Sequence, residues 1–454
     1  MKTNQTIIRN TAVMTVANLL MRSIAVSFNA YLTSKIGSAG IGLFQLILTV
    51  YGLAVTLSCA GVKLASTRVT VEIEAGGKYD LNKSAAMFDF YALFCGFAVC
   101  FALIVFSDLI GVKWIADVRS SPVLKVLALS LPCVAMSASL SGYFTAKGII
   151  TRYSAVQLIE QCVKIIVAVF ILNRIDVYNV KSACMAIAAA TTVSEAVSFI
   201  LSFLLKKVTI PESTKQKAIE LKRLLRVAVP DALGTSARSI LLTIEHLLIP
   251  RGLRKSGTGV KEALSAYGNI HATALPILLY PGAILTSYSL LLIPELAKMN
   301  ENGDKKAISE CVEKNLKRTL LFSVASAFLT AVFAPTISNL IYKTNEAVQY
   351  IRILAPLVPI MYMDTVTDGM LKGLDQQIHS MRYNIIDSAL CVAMVYFLLP
   401  IYSVKGYIFI LYASEIINFY LSFGRLIKVC NIRIFKELSI LQEDNPTFLR
   451  QKRC

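Results

Sequence analysis

Long apolar stretches recur along the whole chain and are separated by short polar connections. Each of these stretches approaches or exceeds the roughly twenty residues that a helix needs to cross the hydrocarbon core of a bilayer. They cover 10–34, 41–65, 84–110, 121–146, 154–174, 181–205, 228–250, 267–294, 317–342, 348–371, 383–402 and 405–428. The pattern predicts an all-α, polytopic membrane protein with twelve transmembrane helices.

The composition of the 454 residues agrees with a membrane protein and excludes two other classes. Apolar residues make up 56% of the chain and charged residues only 16%, against roughly 45–50% and about 25% in soluble proteins. A single water-soluble globule and a disordered chain are both excluded, since disorder needs low hydrophobicity and high net charge. The net charge of +18 is typical of basic cytoplasmic loops and does not predict a nucleic-acid partner.

The basic residues also predict the orientation. More than twice as many Lys and Arg residues flank the N-terminus, the even-numbered connections and the C-terminus as flank the odd-numbered connections. Cytoplasmic loops carry such an excess. We therefore expect a multi-pass protein of the plasma membrane with both termini in the cytoplasm.

Similar landmarks appear in both parts of the chain. Lys147-Gly148 is followed by Arg152-Tyr153 after the fourth span, and Lys372-Gly373 by Arg382-Tyr383 after the tenth. The spacing indicates a duplicated six-span unit, and transporters built from such repeats bind substrate between the halves. The predicted organisation is a six-helix bundle at 1–205, a linker at 206–226, a second six-helix bundle at 227–430 and a basic cytoplasmic tail at 431–454, with a central cavity between the bundles.

The linker is rich in basic residues and has an amphipathic pattern. Pro211 and Glu212 resemble a helix start, and Ile219 and Leu224 alternate with Lys217 and other basic residues. We expect a cytoplasmic amphipathic helix that lies on the anionic inner leaflet, where each basic residue contributes about 1 kcal/mol of binding.

Cysteine and histidine show no metal-site spacing. Seven of the ten cysteines lie inside apolar stretches, no CxxC pair occurs, and no second ligand is evident near His246, His271 or His379. Zinc sites need Cys and His at short spacing. Phosphate-binding and dinucleotide-binding glycine motifs do not occur either. The sequence therefore predicts no metal and no cofactor, and it argues against ATP hydrolysis on this chain.

Several segments, taken in order, resemble one family of transporters. They are Gly40–Leu46, Leu140–Lys147 with Gln157–Gln161, Pro250–Leu253, and Ala274–Pro276 with Leu292–Glu295. Over about residues 1–430 the chain resembles the stage V sporulation protein B-like polysaccharide biosynthesis (oligosaccharide flippase) family. That family belongs to the MATE/MOP transporter superfamily, which also includes the lipid II flippase. The resemblance implies a MATE-like fold and transport without covalent chemistry, so an enzyme is not expected.

Ionisable residues inside the spans are costly and usually face a cavity or a partner. Glu160 and Lys164 are four residues apart and are interpreted as a structural pair on one helix face. Asp364 and Asp368 have the same spacing but repel each other unless a proton or a cation intervenes, so they form a candidate cation site. Lys63, Glu195, Asp387 and Glu415 also lie within or beside spans, without an assigned role.

Arg22 and Arg238 are the strongest candidates for substrate binding. Each lies near the middle of the first span of its half, and Glu245 is seven residues beyond Arg238 on the same helix face. A guanidinium stays charged and binds phosphate in a two-point fork. The resemblance to the lipid II flippase points to Arg22 and, at the end of span two, Arg68 as cavity arginines. Snorkelling of Arg68 to the interface, and hydrogen bonds from Arg22 and Arg238 to backbone carbonyls, remain open as structural alternatives.

These observations predict a flippase that moves an isoprenoid-diphosphate-linked sugar, such as a lipid II-like precursor or a polysaccharide unit, to the outer leaflet by alternating access. The expected partners are the lipid-linked oligosaccharide, anionic lipids of the inner leaflet and cell-wall synthesis enzymes. A MATE-like drug or cation antiporter is the first alternative, and a non-transporting scaffold for wall-synthesis enzymes is the second.

Overall fold

A computed structural model describes residues 2–59, 61–74, 80–175, 179–209, 221–343 and 345–430. Within these ranges the regular elements are all helical. The helices of the first half are α1 (Lys2–Cys59), α2 (Val62–Glu74), α3 (Leu81–Leu109), α4 (Ser120–Ala128), α5 (Leu131–Ala146), α6 (Ile150–Leu172) and α7 (Val180–Thr209). Those of the second half are α8 (Leu221–Lys255), α9 (Val260–Gly268), α10 (Leu275–Leu279), α11 (Gly282–Glu301), α12 (Lys305–Val332), α13 (Ala334–Tyr342), α14 (Val348–Leu354), α15 (Val358–Gly373) and α16 (Gln377–Cys430).

Each of the twelve predicted spans coincides with helical structure. Helix α1 contains span 1 and most of span 2, whose last residues begin α2. It bends at Gly37, whose φ of 72° suits a residue without Cβ. Helix α16 contains spans 11 and 12 and bends at Ser403. By length and composition five helices of the described residues can cross a membrane, or eight if three bent pairs each count as one span. The all-helical membrane fold is confirmed, and the count of twelve stays a prediction.

Three spans are broken, and a proline lies at or beside each break. The bends are 45° between α4 and α5, 58° between the α9–α10 segment and α11, and 69° between α12 and α13. Pro132, Pro281 and Pro335 lie at these positions. A proline has no N–H to donate to the preceding turn, so the helix bends there and carbonyls lose their partners.

Large apolar side chains cover much of the outer surface. Phe101 is 70% exposed, Leu321 75%, Phe328 67% and Phe397 65%. In water so many exposed large apolar side chains would promote aggregation, whereas lipid chains can cover them. The exposure pattern supports a chain that is surrounded by lipid along the lengths of its helices.

The two halves meet mainly through the first two spans. Helix α1 packs against α8, α9 and α11 of the second half, and α2 packs against the start of α8. We call the side of the membrane that carries the N-terminus proximal and the opposite side, where α1 bends at Gly37, distal. Residues 210–220 of the predicted linker helix and the whole tail at 431–454 lie outside the described residues, so the predicted domain boundaries stay predictions.

Candidate functional site between and within the two halves

The break in span 8 leaves a backbone carbonyl without its partner in the helix. The amide of Ala283 donates to Tyr280 O, so the carbonyl of Leu279 loses the helical partner four residues ahead. The hydroxyl of Tyr362 donates to Leu278 O at 2.6 Å and accepts from the amide of Gly282. Tyr362 thus bridges the break from inside the second half and leaves one carbonyl, that of Leu279, for another donor.

Arg22 is that donor, and it comes from the other half of the protein. Its Nη1 donates to Leu279 O at 2.8 Å, and the guanidinium is only partly buried. Next to it, the hydroxyls of Ser23 and Tyr280 are 2.7 Å apart. A guanidinium has five N–H donors, and this carbonyl accepts one of them. Arg22 thus donates one N–H to a backbone carbonyl, as the structural alternative expected. Its other N–H groups are left for a ligand.

A mainly apolar cavity of about 360 Å³ opens beside this contact. Both halves contribute to its wall. It is lined by Ser23, Val26 and Ser27 of α1, Ile277, Tyr280 and Pro281 of span 8, and Thr330, Ile337 and Ile341 of span 9. The arrangement places a cationic group next to apolar space at the junction of the halves.

Arg238 lies in a different environment from Arg22. Its side chain is exposed, and it interacts electrostatically with Asp364 on α15 and Asp387 on α16. The predicted partner, Glu245, is 8% exposed and has Asp387 and Cys391 as its neighbours. The structure therefore gives Arg238 two carboxylates of other spans as partners in place of Glu245.

The two aspartates of span 10 have different partners. Asp368 forms an ion pair with Lys372 at 2.6 Å and accepts a hydrogen bond from Ser380. Asp364 accepts from Asn418 Nδ2 at 3.0 Å through Oδ2, whereas Asp364 Oδ1 and Asn418 Oδ1 are both buried without a partner. Buried acceptors without donors are costly. The two aspartates therefore have different hydrogen-bond partners, although Asp368 still acts electrostatically on Asp364. Two oxygens, Asp364 Oδ1 and Asn418 Oδ1, have no partner.

Asp364 belongs to a larger group of carboxylates that we call the acidic cluster: Glu245, Asp364, Asp387 and Glu415. Glu415 interacts electrostatically with Asp364 and Asp387, and Asp387 interacts with Glu245. Asp387 also accepts from Ser414 at 2.7 Å. Among the described residues, no three His, Cys, Asp or Glu side chains form a group that could hold a metal ion. The acidic cluster thus brings together carboxylates of spans 7, 10, 11 and 12.

Sequence reasoning did not assign Asp387 and Glu415 to this site. They lie on spans 11 and 12, within a single long helix that bends back at Ser403. Their depth in apolar stretches was the only available signal, and it does not say which span they face. Their proximity to Asp364 results from the packing of α15 against α16.

Two of the histidines lie side by side in the structure, although their positions in the sequence showed no second ligand near either. The rings of His246 and His271 are 4.7 Å apart. His246 Nδ1 lies 2.8 Å from the hydroxyl of Tyr267, and His271 Nε2 lies 2.6 Å from the hydroxyl of Tyr407. Helix packing brings together these two residues, which are distant in the chain. One ring nitrogen of each histidine hydrogen-bonds to a tyrosine, of span 8 or span 12.

Arg68 and the predicted structural pair lie away from these residues. Arg68 is exposed on α2 and interacts electrostatically with Asp231 on α8. Glu160 and Lys164 interact electrostatically, and Glu195 of the neighbouring helix α7 interacts with both. No N–O distance of 4.0 Å or less joins Glu160 to Lys164 in the part of the chain that the structure describes. The roles of all three predicted residues stay predictions.

Comparison with known proteins identifies the family. A family model described as "Polysaccharide biosynthesis protein" matches residues 7–300, and a second described as "MatE" matches residues 261–398. The stage V sporulation protein B of Bacillus subtilis (strain 168) is 21% identical over 405 residues, which cover 87% of this chain and 78% of that protein.

Solved structures agree on the fold. A multidrug resistance MATE family transporter of the MOP superfamily, in an inward-facing conformation, has a TM-score of 0.74 at 13% identity and covers 92% of this chain and 99% of its own. A MOP superfamily transporter from Pyrococcus furiosus with a binding pocket of reverse polarity has a TM-score of 0.62 at 14% identity, covering 92% and 96%. These findings confirm the resemblance seen in the sequence: the chain belongs to the polysaccharide biosynthesis protein family and has the fold of the MATE transporters.

Proposed function

We propose that this protein is a flippase that moves an isoprenoid-diphosphate-linked sugar to the outer leaflet by alternating access. The observation that carries the proposal is the position of Arg22. Its guanidinium reaches across the junction of the two halves and uses one donor on Leu279 O. Burying a charge at bilayer depth is costly without a partner or a ligand, and the remaining donors suit a diphosphate.

The surroundings of Arg22 support a lipid-linked substrate over a soluble anion. The cavity beside it holds about 360 Å³ and is lined by valine, isoleucine and proline together with a few hydroxyls. An amphiphile whose diphosphate binds Arg22 would have apolar space directly beside its head group. Family membership supports the polysaccharide-related class of the sugar, and no covalent step is required.

The acidic cluster supports coupling of transport to a cation. We propose that Asp364 and Asn418 bind a proton or a monovalent cation through their two unpaired oxygens, with Asp387 and Glu415 nearby to supply negative charge. This revises the predicted cation site, because Asp368 is neutralised by Lys372. Outward movement of an anionic head also runs with an inside-negative potential, worth about 2.3 kcal/mol per charge per 100 mV.

A MATE-like cation antiporter is the second candidate, and the same acidic cluster is the observation that favours it. In such a protein the carboxylates would bind the exported cation directly, and Arg22 would only join the halves. The orientation with both termini in the cytoplasm, and contacts with cell-wall synthesis enzymes, complete the proposal and rest on sequence alone.

The test is a leaflet-exposure assay in reconstituted vesicles with a fluorescent isoprenoid-diphosphate sugar. We expect Arg22→Ala to reduce flipping by about tenfold or more, since a hydrogen bond from a charged group is worth about 1.5–3 kcal/mol. Arg22→Lys should retain part of the rate, because an ammonium keeps the charge without the fork. Arg174, an exposed arginine at the end of α6, provides the matched control, and Arg174→Ala should flip normally.

Two results would contradict the proposal. If Arg22→Ala protein is folded and flips at the normal rate, Arg22 only joins the halves. If wild-type vesicles move no isoprenoid-linked sugar but export organic cations against a cation gradient, the antiporter function is correct.

A further inference from the structure

Two helices from opposite halves touch through their bare backbones on the distal side of the membrane. A Cβ built on Gly42 of α1 would lie 2.1 Å from Leu264 O, and one built on Gly268 of α9 would lie 2.3 Å from Ser38 O. The hydroxyls of Ser38 and Ser265 are 2.6 Å apart. We call this contact the distal seam and define it by Ser38, Gly42, Leu264, Ser265 and Gly268.

The sequence builds the seam with small residues at helical spacing. Ser38 and Gly42 are four residues apart, and Ser265 and Gly268 are three apart, so each pair lies on one face of its helix. Small residues let helix backbones approach closely in a membrane. The polar contacts between the two helices, Ser38 with Ser265 and Thr49 with Tyr267, are both between neutral hydroxyls.

A seam of this kind can separate at low cost. Parting it breaks van der Waals contacts and hydrogen bonds between neutral hydroxyls, and each hydroxyl can then bond to water. A buried ion pair at the same place would instead have to separate two opposite charges on opening. The contact is therefore tight when closed and leaves no unpaired charge when open.

The helix on the second-half side of the seam is joined to the rest of its span by a weak point. Helix α9 ends at Gly268 and continues directly into a π-helical turn at Asn269–Ala274. Such turns are rare and frequently mark functional sites. Beyond it, span 8 bends by 58° before α11. Helix α9 is thus a short helix separated from α11 by a π-helical turn and a bend, so it can tilt while α11 stays in place.

A second backbone contact between the halves lies on the proximal side and has different surroundings. A Cβ on Gly61 would lie 2.2 Å from Ala228 O, and nearby Arg223 forms an ion pair with Glu72 at 2.7 Å. This contact joins α2 to the start of α8, next to the linker that connects the halves. An ion pair beside the covalent connection suits a pivot, about which the distal contact opens and closes.

We propose that the distal seam is the gate that closes the central cavity on the distal side, and that it opens by separation of Gly42 from Gly268 while the Gly61–Ala228 contact stays in place. The inference rests on the proposed alternating access but not on the identity of the substrate. It assigns Gly42 and Gly268 as gate residues because any Cβ at either position prevents complete closure.

Thiol access tests the gate without any substrate. In a protein cleared of native cysteines, the reporter is a cysteine at Thr49. This half-buried residue lies about two turns from Gly42 and hydrogen-bonds to Tyr267 of α9, so it becomes accessible when α1 and α9 part. We expect Gly42→Ala to raise its reaction rate with a membrane-impermeant thiol reagent, added from the distal side, by about fivefold or more. Gly52→Ala is the matched control, because nothing lies within 4 Å of a Cβ at Gly52 of the same helix. Equal rates for the two alanine variants would overturn the proposal.

Reversible cross-linking provides an independent measurement that does not depend on the folding of Gly42→Ala. The hydroxyls of Ser38 and Ser265 are close enough for Ser38→Cys and Ser265→Cys to form a disulfide. We expect oxidation to abolish transport and reduction to restore it. Thr258→Cys with Ser403→Cys, whose native hydroxyls are 3.3 Å apart within the second half, is the control and should transport when oxidised. Transport by the oxidised seam variant would overturn the gate.

The outcomes separate the gate from the proposed substrate. If Gly42→Ala increases thiol access but no lipid-linked sugar moves in wild-type vesicles, the gate stands and the substrate is wrong. If the sugar moves and neither seam experiment has its expected effect, the substrate stands and the gate is wrong.

Discussion

Arg22 and Arg238 occupy equivalent positions in the predicted repeat, yet the two halves surround them differently. Arg22 leaves its own half and donates to a carbonyl of span 8. Arg238 stays with its own half and lies among carboxylates of spans 10 and 11. Under the proposed function, the anion therefore binds at the junction of the halves and the cation in the interior of the second half.

The balance of buried charge differs in the same way. In the first half, Lys206 and Asp89 form an ion pair at 2.5 Å with side-chain exposures of 10% and 16%, and Asp89 also accepts from Ser139. In the second half, Arg238 is the one cation that interacts with the acidic cluster, among the described residues. The Lys206–Asp89 pair is therefore neutral in itself, whereas the acidic cluster of the second half has more carboxylates than cations.

Replacing Lys206, the buried cationic side chain of the first half, is expected to have the largest effect, and that effect is a loss of stability. Lys206→Met leaves Asp89 buried without its ammonium, which costs about 3–5 kcal/mol. Arg223→Met, which breaks an ion pair whose side chains are 48% and 50% exposed, should cost about 1 kcal/mol or less. Denaturant unfolding in detergent measures both. Equal destabilisation by the two variants would remove the contrast between buried and exposed pairs.

Replacing Arg238, the cationic side chain beside the acidic cluster, should affect transport more than stability. Arg238→Ala leaves the acidic cluster with excess negative charge, and we expect transport to fall about tenfold, since couplings of this kind are worth 1–3 kcal/mol. Asp387→Asn in the same chain removes one negative charge and should restore part of the rate. The leaflet-exposure assay measures the rates.

The control is Asp387→Asn combined with Arg22→Ala. Because Arg22 contacts a carbonyl and not the acidic cluster, this double variant should remain inactive. Equal rescue of Arg22→Ala and Arg238→Ala would mean that the two arginines share one environment, contrary to the structure.

The two aspartates of span 10 should differ in their effect on the cation dependence of transport. Asp364→Asn removes the carboxylate with the unpaired oxygen, and we expect the cation or pH dependence of transport to weaken severalfold. Asp368→Asn changes a carboxylate that Lys372 already neutralises, so its dependence should stay close to wild type. Transport measured against cation concentration at fixed membrane potential distinguishes the two. A larger effect of Asp368→Asn would return the cation site to its originally predicted pair.

The smallest expected effect on transport concerns the linker between the halves. Neutralising Lys215, Lys217, Lys222 and Arg223 should weaken binding of the 206–226 peptide to anionic vesicles by about 1 kcal/mol per charge. Transport by the full chain should remain nearly normal when only the three lysines are neutralised, because Arg223 then keeps its ion pair with Glu72 at the proximal contact. Lost transport with unchanged vesicle binding would give the linker a direct role in relating the halves.

Much of the site was predictable as a set of residues but not as an arrangement. Arg22, Arg238 and Asp364 stand out because an ionisable group in an apolar stretch is costly and therefore needs a reason. The partners did not follow from spacing along one helix. Asp368 pairs with Lys372 one turn away, whereas Asp364 binds Asn418, which is 54 residues away and on another span.

Local hydropathy, helix length and the order of short motifs were enough to predict the all-helical membrane fold and the family. Which charges meet, that Arg22 reaches the carbonyl freed beside Pro281, that the rings of His246 and His271 meet edge to face, and that Gly42 faces Gly268 depended on helix packing. The physical reason is that hydropathy encodes how deep a residue lies but not the direction in which it faces. That direction depends on the packing of helices that are far apart in the chain.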